Sequence, residues 1–515
     1  MPSIWALPKN PLDPSGAANV STGVSFVLLL LFGLFISRCY QAFFSPLAKV
    51  PGPLLAKFTR GWQILKYYQG NWHSDIEWLH KKYGPVVRIA PNEVSFVDHA
   101  ALRQLYSYAK AAPKTDWYNV WNPSKTKSIS FFAETNIPQH AKRRRQVAQA
   151  YSMSSVLAAE TFIQKVADET WIQFHKMARE GKTLDLDWWV TGFAYDVVGE
   201  LGFGEPFGFI KAGEDKNGIM DSVLTAFTNM GNLGYIPGQT FWIRNPVSKF
   251  LSRYIGKDNV NAYPNFLAQV NKRILERRAR GNSDRRDMLQ QFFEAKTDKR
   301  EPISHADVLS EAANVLGAGA DTTSIGIKAC LGFLLLNPDR YRQLQKELDT
   351  YWAENDLNSN EITYKQCLEI PLLQAVVKES TRLHPSIIFQ LPRVVPPEGI
   401  TIRKYFIPGN AHVSMSPRVM NRDKEVFGDD AEVWRPERWL EEPERAKYMD
   451  SMLATFGYGS RSCIGKNIAL VEMSKFVAQF LHQFDAKVVN EACPWKLYTI
   501  WMCIQQEMWI RVMER

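Results

Sequence analysis

Cysteine is scarce in this chain. There are six in 515 residues (Cys39, Cys330, Cys367, Cys463, Cys493 and Cys503) and no CxxC pair among them, which excludes a disulfide scaffold or a zinc ribbon and points to a reducing compartment. Repeats and low-complexity stretches are missing, so a solenoid is excluded. There is no strong excess of one charge either. Sixty-two basic against 53 acidic residues leave a net charge of +9, too diffuse to predict a nucleic-acid partner. Aromatic residues, in contrast, are plentiful, with 16 Trp, 19 Tyr and 29 Phe. So many rings predict a large buried volume, built around something flat and apolar.

Charge is absent altogether from residues 14–37, between Asp13 and Arg38, and the run from Val24 to Ser37 is almost wholly apolar. About 20 such residues match a bilayer core. A cleaved signal peptide would need a basic start and a small-residue cleavage site; only Lys9 precedes the run and no A-x-A follows. We therefore expect a retained anchor over 20–37 behind a short lumenal segment, 1–19. Arg38, Lys49, Lys57 and Arg60 follow the span, so the body is expected on the cytosolic side. Three prolines in Ser45–Leu55 predict a stiff hinge over 38–55, with one large domain over 56–515.

Long helical patterns dominate that body. One starts at Ser304, where Asp307 completes a candidate capping box, and runs to Asn337-Pro338, where proline stops it. Others follow from Asp339, over Pro371–Leu383 and over Lys466–Phe484. Segments 85–90, 94–98 and 399–407 read as strands. The expected fold is mainly α with small β-sheets.

The strongest chemical signal is FGYGSRSCIG, Phe456 to Gly465. A cysteine just before a helix sits in the positive potential of unpaired N–H groups, which favours the thiolate. Glycines at 457, 459 and 465 permit close approach of backbone, and Arg461 can pair with an acidic group. The segment matches in full the FxxGxRxCxG heme-binding signature, and on it the chain resembles the cytochrome P450 superfamily; its wording elsewhere (PLAKVPGPLLAKFTR, LPRVVP, CIGKNIALVEMSK) resembles the fungal pisatin-demethylase-like branch. The resemblance implies a P450 fold with heme b, and Cys463 as the axial ligand of its iron, framed by Phe456 and Gly465.

It also assigns roles elsewhere. AGADTT, Ala318–Thr323, resembles the oxygen-binding groove, where the helix opens beside the iron; Gly319 lies in it, Thr322 assists oxygen activation and Asp321 relays protons. Glu379 and Arg382 resemble the ExxR element, and Arg438 in WRPERW completes a supporting network. Trp439 stands where the family usually has Phe. His140-x-x-x-Arg144 aligns with a WxxxR element that contacts heme propionates, with His in place of Trp, and Arg393 and Arg461 match the other propionate arginines. Lys142, Arg143 and Lys466 are candidates for a face that docks an acidic electron donor.

By family position the substrate cavity draws on Trp117–Phe132, on Ala313, Leu316 and Ala320, on Ile387–Leu391 and on Tyr498–Trp501. Together these features imply an endoplasmic-reticulum-bound, single-pass monooxygenase. Its partners are O2, a lipophilic small molecule and an NADPH-dependent reductase, in secondary metabolism; nucleic acid is not expected. Two alternatives stay open: a heme-thiolate isomerase or dehydratase acting on a peroxide, and a non-catalytic heme carrier or sensor.

Overall fold

The computed structural model describes residues 14–515 apart from 110, 122–127, 216–217, 240, 242–244, 246, 248–261, 282–284 and 358. Part of the expected lumenal segment (1–13) and part of the expected cavity segment (122–127) therefore lie outside the described residues. Helix α1, Pro14–Phe43, starts earlier and ends later than the expected anchor. Its stretch Ser25–Phe43 is long and apolar enough to cross a membrane, with side chains such as Leu29 left 69% exposed.

The segment read as a hinge is tied to the body. Arg88 is fully buried and donates to the carbonyl oxygens of Gln41, Ala42, Leu47 and Pro91. The first two are among the orphan carbonyls at the C-terminal end of α1, which a guanidinium fork is well suited to satisfy.

Strands β1 (Val86–Ala90) and β2 (Glu93–Phe96) form an antiparallel pair. The helices that frame the site follow: α2 (Ile137–Val147), α3 (Leu186–Val198), α4 (Ile219–Leu233), α5 (Ala262–Ala279), α6 (His305–Leu335), α7 (Pro338–Glu354) and α8 (Pro371–Leu383). Strands β3 (Arg393–Val394) and β4 (His412–Ser414) then join the first pair in a four-stranded sheet of order β1-β2-β4-β3, and α9 (Lys466–Gln483) follows the cysteine loop. The expected single strand over 399–407 is instead a hairpin, Ile400–Ile402 against Tyr405–Ile407. It folds back at Arg403, whose φ of 53° turns the chain and whose side chain is held by Asp98 and Glu425.

Helix α6 is the axis of the body, about 46 Å long at ~1.5 Å per residue. Its capping box is present: Ser304 Oγ accepts from Asp307 N–H at 3.2 Å and Asp307 returns the bond to Ser304 N–H at 3.2 Å. The N-terminal half of α6 buries Val308, Ala312, Val315, Leu316 and Ala320 in one apolar cluster. The C-terminal half buries Ile327, Cys330, Leu331 and Leu334 in another. AGADTT sits at the seam between the two. There α6 lies close against α3: a Cβ on Gly319 would meet Val198 Cγ2 at 2.8 Å, and Lys328 bonds Asp187. The helix stays continuous through this stretch rather than opening, with the Thr322 and Thr323 hydroxyls donating to the carbonyls of Ala318 (2.6 Å) and Gly319 (2.8 Å).

Candidate active site

The loop before α9 holds Cys463 through backbone contacts. Cys463 N–H donates to Phe456 O at 2.8 Å, and Ser462 N–H to Gly459 O at 3.0 Å. Gly459 has a φ of 67°, and a Cβ there would lie 1.6 Å from Tyr106 O. The glycine is thus required by packing of the loop on the Tyr106–Ser107 backbone, not by approach of a ligand. We expect Gly459→Ala to cost at least about 2–3 kcal/mol, the scale of overpacking, and to displace the cysteine loop. Thermal unfolding together with the ratio of heme to protein absorbance reads both effects.

Cys463 is exposed, but onto an interior cavity of ≈370 Å³, within the usual range for ligand sites. Burial pushes its thiol up, opposed by the N–H groups of Gly465 and Lys466 and the charges of Arg144 and Lys466. Those N–H groups and cations are what a thiolate at this position needs. Among the described residues there is no cluster of three or more His, Cys, Asp or Glu able to hold a metal.

One corner of the cavity is strongly cationic. Arg144 donates to Ser462 O (2.8 Å), and Arg461 donates to Glu134 O (2.5 Å). Lys114 lines the wall with them, only 8% exposed, its ammonium pushed well below the usual lysine range by burial and by Arg393, Arg461 and Arg144. Arg393 sits behind Lys114, paired to it through the backbone; its guanidinium bonds Tyr118 Oη at 2.9 Å and its Nε is buried without a partner. His140 lines the cavity as a neutral imidazole, pushed down to about 3 by burial and by these four cations. A neutral imidazole keeps one ring N–H, so His140 preserves the donor that an indole would supply. The Glu134 carboxylate opposes part of this charge at Lys114 and Arg461. Burying this much positive charge is unfavourable without anions to meet it. A heme, with two carboxylates at its edge and iron at its centre, matches both the cationic corner and the thiol.

Lys114 escaped the sequence reading. The signal was there, a lone lysine leading the aromatic run KTDWYNVW, but only the fold brings it beside Arg393. Trp439 was undervalued too, since its indole N–H donates to Glu379 Oε2 at 2.9 Å, a bond that Phe cannot make. Glu379, Arg382 and Arg438 form one buried network. Arg382 bonds both carboxylate oxygens at 2.8 Å and Arg438 Nε bonds Oε1 at 2.9 Å. It reaches the cysteine loop through Asn421, whose carbonyl accepts from Arg382 (2.7 Å) and whose side chain holds Ala454 N–H (2.8 Å) and Thr455 Oγ1 (3.1 Å).

Thr322 and Asp321 face different ways. Thr322 and Gly319 line the cavity; Asp321 does not. Its carboxylate lies in the α3–α6 interface and accepts from Tyr195 Oη at 2.9 Å. Burial pushes it up to about 6, against the bond from Tyr195 and the charge of Lys328. The expected docking cations also divide: Arg143 is engaged by Asp307 at 3.2 Å, Lys142 pairs with Asp298, and Lys466 is exposed.

Of the expected cavity residues, Trp121, Phe131, Phe132, Ala313, Ile387, Leu391 and Trp501 line it. Leu316 and Ala320 do not; both are buried in the apolar cluster under the N-terminal half of α6. Trp117, Ile388, Phe389 and Ile500 are likewise core residues, Gln390 is buried off the cavity, bonded to Tyr67 and Trp72, and Tyr498 packs over Gly70. Trp501 is held over the cavity with a φ of 101°, a conformation bulky residues rarely adopt, by the bond from Ile388 N–H to its carbonyl (3.2 Å). The wall is completed by residues with no motif of their own, among them Phe227 of α4 and Tyr263 and Phe266 of α5.

Comparison with known proteins agrees with this geometry. Cytochrome P450 monooxygenase hepC of Aspergillus oryzae is 32% identical over 495 residues, covering 92% of this chain and 94% of that protein. A pisatin demethylase of Fusarium vanettenii is 33% identical over 471 residues (90% and 89%), and cytochrome P450 monooxygenase gsfF of Penicillium aethiopicum is 33% identical over 500 (95% and 98%). With the cytochrome P450 family model matching residues 51–508, the chain belongs to the cytochrome P450 family.

Proposed function

We propose that this protein is a heme-thiolate monooxygenase that inserts one oxygen atom of O2 into a lipophilic small molecule. Its electrons come from NADPH through a separate reductase. It is held by α1 at the endoplasmic reticulum, the body in the cytosol, and works in fungal secondary metabolism. The observation that carries the reading is a thiol and a cationic corner on the same apolar cavity as Thr322. Cys463 would hold the iron, while Arg144, Arg461, Lys114 and His140, backed by Arg393, would meet the two carboxylates. The bound heme supplies O2 activation, which a thiolate ligand favours by donating electron density.

The remaining chemistry is proton delivery, and here the chain's own groups act. The wall is largely apolar, so protons are best delivered by groups the chain holds in place. Thr322 Oγ1 keeps its proton on Ala318 O until it turns towards the cavity. Asp321, with a pKa near 6, takes up and releases protons close to neutral pH, and Tyr195 fixes its orientation from α3. The presence of both Asp321 and Thr322 favours an oxygenase over a peroxide isomerase or a heme carrier.

The test is turnover with NADPH, reductase and isotope-labelled O2. One labelled atom enters the product, and Thr322→Ala lowers product formed per NADPH by at least about tenfold, within the range for loss of a proton-transfer group, while NADPH is still consumed and hydrogen peroxide accumulates. Turnover of a hydroperoxide with no electron donor would instead favour the isomerase.

A further inference from the structure

Most hydrogen-bond donors on the distal wall of the cavity are already spent inside the protein. The hydroxyl of Ser128 donates to Asp307 Oδ1 (2.5 Å), that of Thr322 to Ala318 O, that of Thr323 to Gly319 O and that of Ser386 to Thr322 O (2.6 Å). The indole N–H groups of Trp121 and Trp501 are sealed from the cavity although their rings form part of its lining. The hydroxyls of Ser130, Ser310 and Tyr151 also line the cavity, and beside them stands one amide whose orientation is fixed.

Asn314 of α6 is the carboxamide on this wall. Its Nδ2 donates to Glu311 Oε2 at 3.1 Å. Glu311 is 4% exposed, accepts a second bond from Phe131 N–H and faces Arg143, Asp307 and Tyr151. An ionised carboxylate can only accept, so it fixes which way the Asn314 amide points and leaves Oδ1 as a free acceptor. The rings that line the same cavity (Trp121, Phe131, Phe132, Phe227) form flat apolar walls.

We infer that the substrate is a flat lipophilic molecule bearing a hydroxyl or N–H group, whose proton Asn314 Oδ1 accepts, with Glu311 as the positioning residue that orients the amide. This rests on the oxygenase reading above and adds to it the chemical class of the substrate. A fully alkylated or purely carbonyl compound of the same shape would leave Oδ1 desolvated and unmet, which is the asymmetry that makes such sites selective.

The test is spin-state titration of the heme-loaded protein with matched probes, naphthol against its methyl ether and hydroxybiphenyl against its methyl ether. It is run at pH 8, where Glu311, pushed up to about 7 by burial, is ionised. In the wild type each phenol binds about tenfold tighter than its ether, the scale of one hydrogen bond. Asn314→Leu makes each pair equal, whatever it does to overall affinity. Glu311→Gln, whose amide can donate as well as accept, frees Asn314 to turn and moves the preference towards the ether. Equal binding of phenol and ether by the wild type, no response to either phenol, or an unchanged preference in Asn314→Leu overturns the inference. The wild-type comparison needs no variant to fold. Absence of a red-shifted carbon-monoxide band from the reduced wild type overturns the oxygenase reading itself, and the two failures are thus distinguishable.

Discussion

Replacing Cys463 with serine abolishes the red-shifted Soret band of the reduced carbon-monoxide complex and brings NADPH-supported turnover down to background. The expectation follows from where the sulfur sits. Cys463 opens onto the cavity and packs in no apolar cluster, so a serine there removes a soft anionic ligand and little packing; we expect a stability change of under about 1 kcal/mol in the absence of heme. The buried cysteines give the opposite pattern. Cys330 and Cys367 are fully enclosed in one core and Cys503 in another, their thiols pushed up by burial to about 12, 12 and 11. Serine at any of them buries a hydroxyl in place of a small apolar group, which lowers stability but leaves the band where it was. Carbon-monoxide spectra and unfolding curves of the four variants separate a ligand from a core residue. A Cys463→Ser protein that keeps the red-shifted band would remove the basis of the oxygenase reading.

The sequence made the ends of helices and the residues within motifs legible, because each rests on short-range chemistry. Ser304 and Asp307 announce the start of α6 through a bond over three residues, and Pro338 stops it. Glu379 and Arg382 announce each other by sharing one helix face. What stayed hidden depends on which distant segment meets which face. Asp321 is adjacent to Thr322 in sequence, yet one turns to α3 and the other to the cavity, a division set by how close Gly319 lets α3 approach. Lys114 acquires its place only when the bridge to Arg393 forms, across nearly 280 residues of chain. Phe227, Tyr263 and Phe266 belong to no pattern; they reach the cavity because α4 and α5 pack over it. The contacts of the proline-rich segment stayed hidden for the same reason, since its prolines are local but Arg88, which binds the carbonyls of Gln41, Ala42 and Leu47 within it, is not.

Glu379→Gln is expected to lower stability by about 3–5 kcal/mol, the range for breaking a buried ion pair from one side, and to leave most of the purified protein without heme. Five donors converge on this carboxylate. Arg382 Nη2, Arg438 Nε and Arg435 N–H meet Oε1, while Arg382 Nε and Trp439 Nε1 meet Oε2. Glutamine keeps one oxygen but turns an NH2 group towards two of those donors, so the loss comprises a charge and two opposed N–H pairs. The damage should spread to the active site, because Arg382 also holds Asn421 O, and Asn421 holds Ala454 and Thr455 just ahead of Phe456, whose carbonyl accepts from Cys463 N–H. Burial disfavours the Glu379 carboxylate, yet the bonds from Arg382 and the charges of Arg382 and Arg438 keep its pKa below the ordinary range. A depressed carboxylate stabilises the fold fully above its unfolded pKa of about 4.5 and loses that contribution as pH falls towards the folded value. The gap between wild type and Glu379→Gln should therefore be complete at neutral pH and narrow below about pH 4.5. Trp439→Phe removes a single charge-assisted bond and is expected to lose only about 1.5–3 kcal/mol, with heme retained. Urea unfolding followed across pH, with heme content measured on the same samples, tests the whole series. Equal stability of Glu379→Gln and wild type at neutral pH would show that the network does not support the cysteine loop.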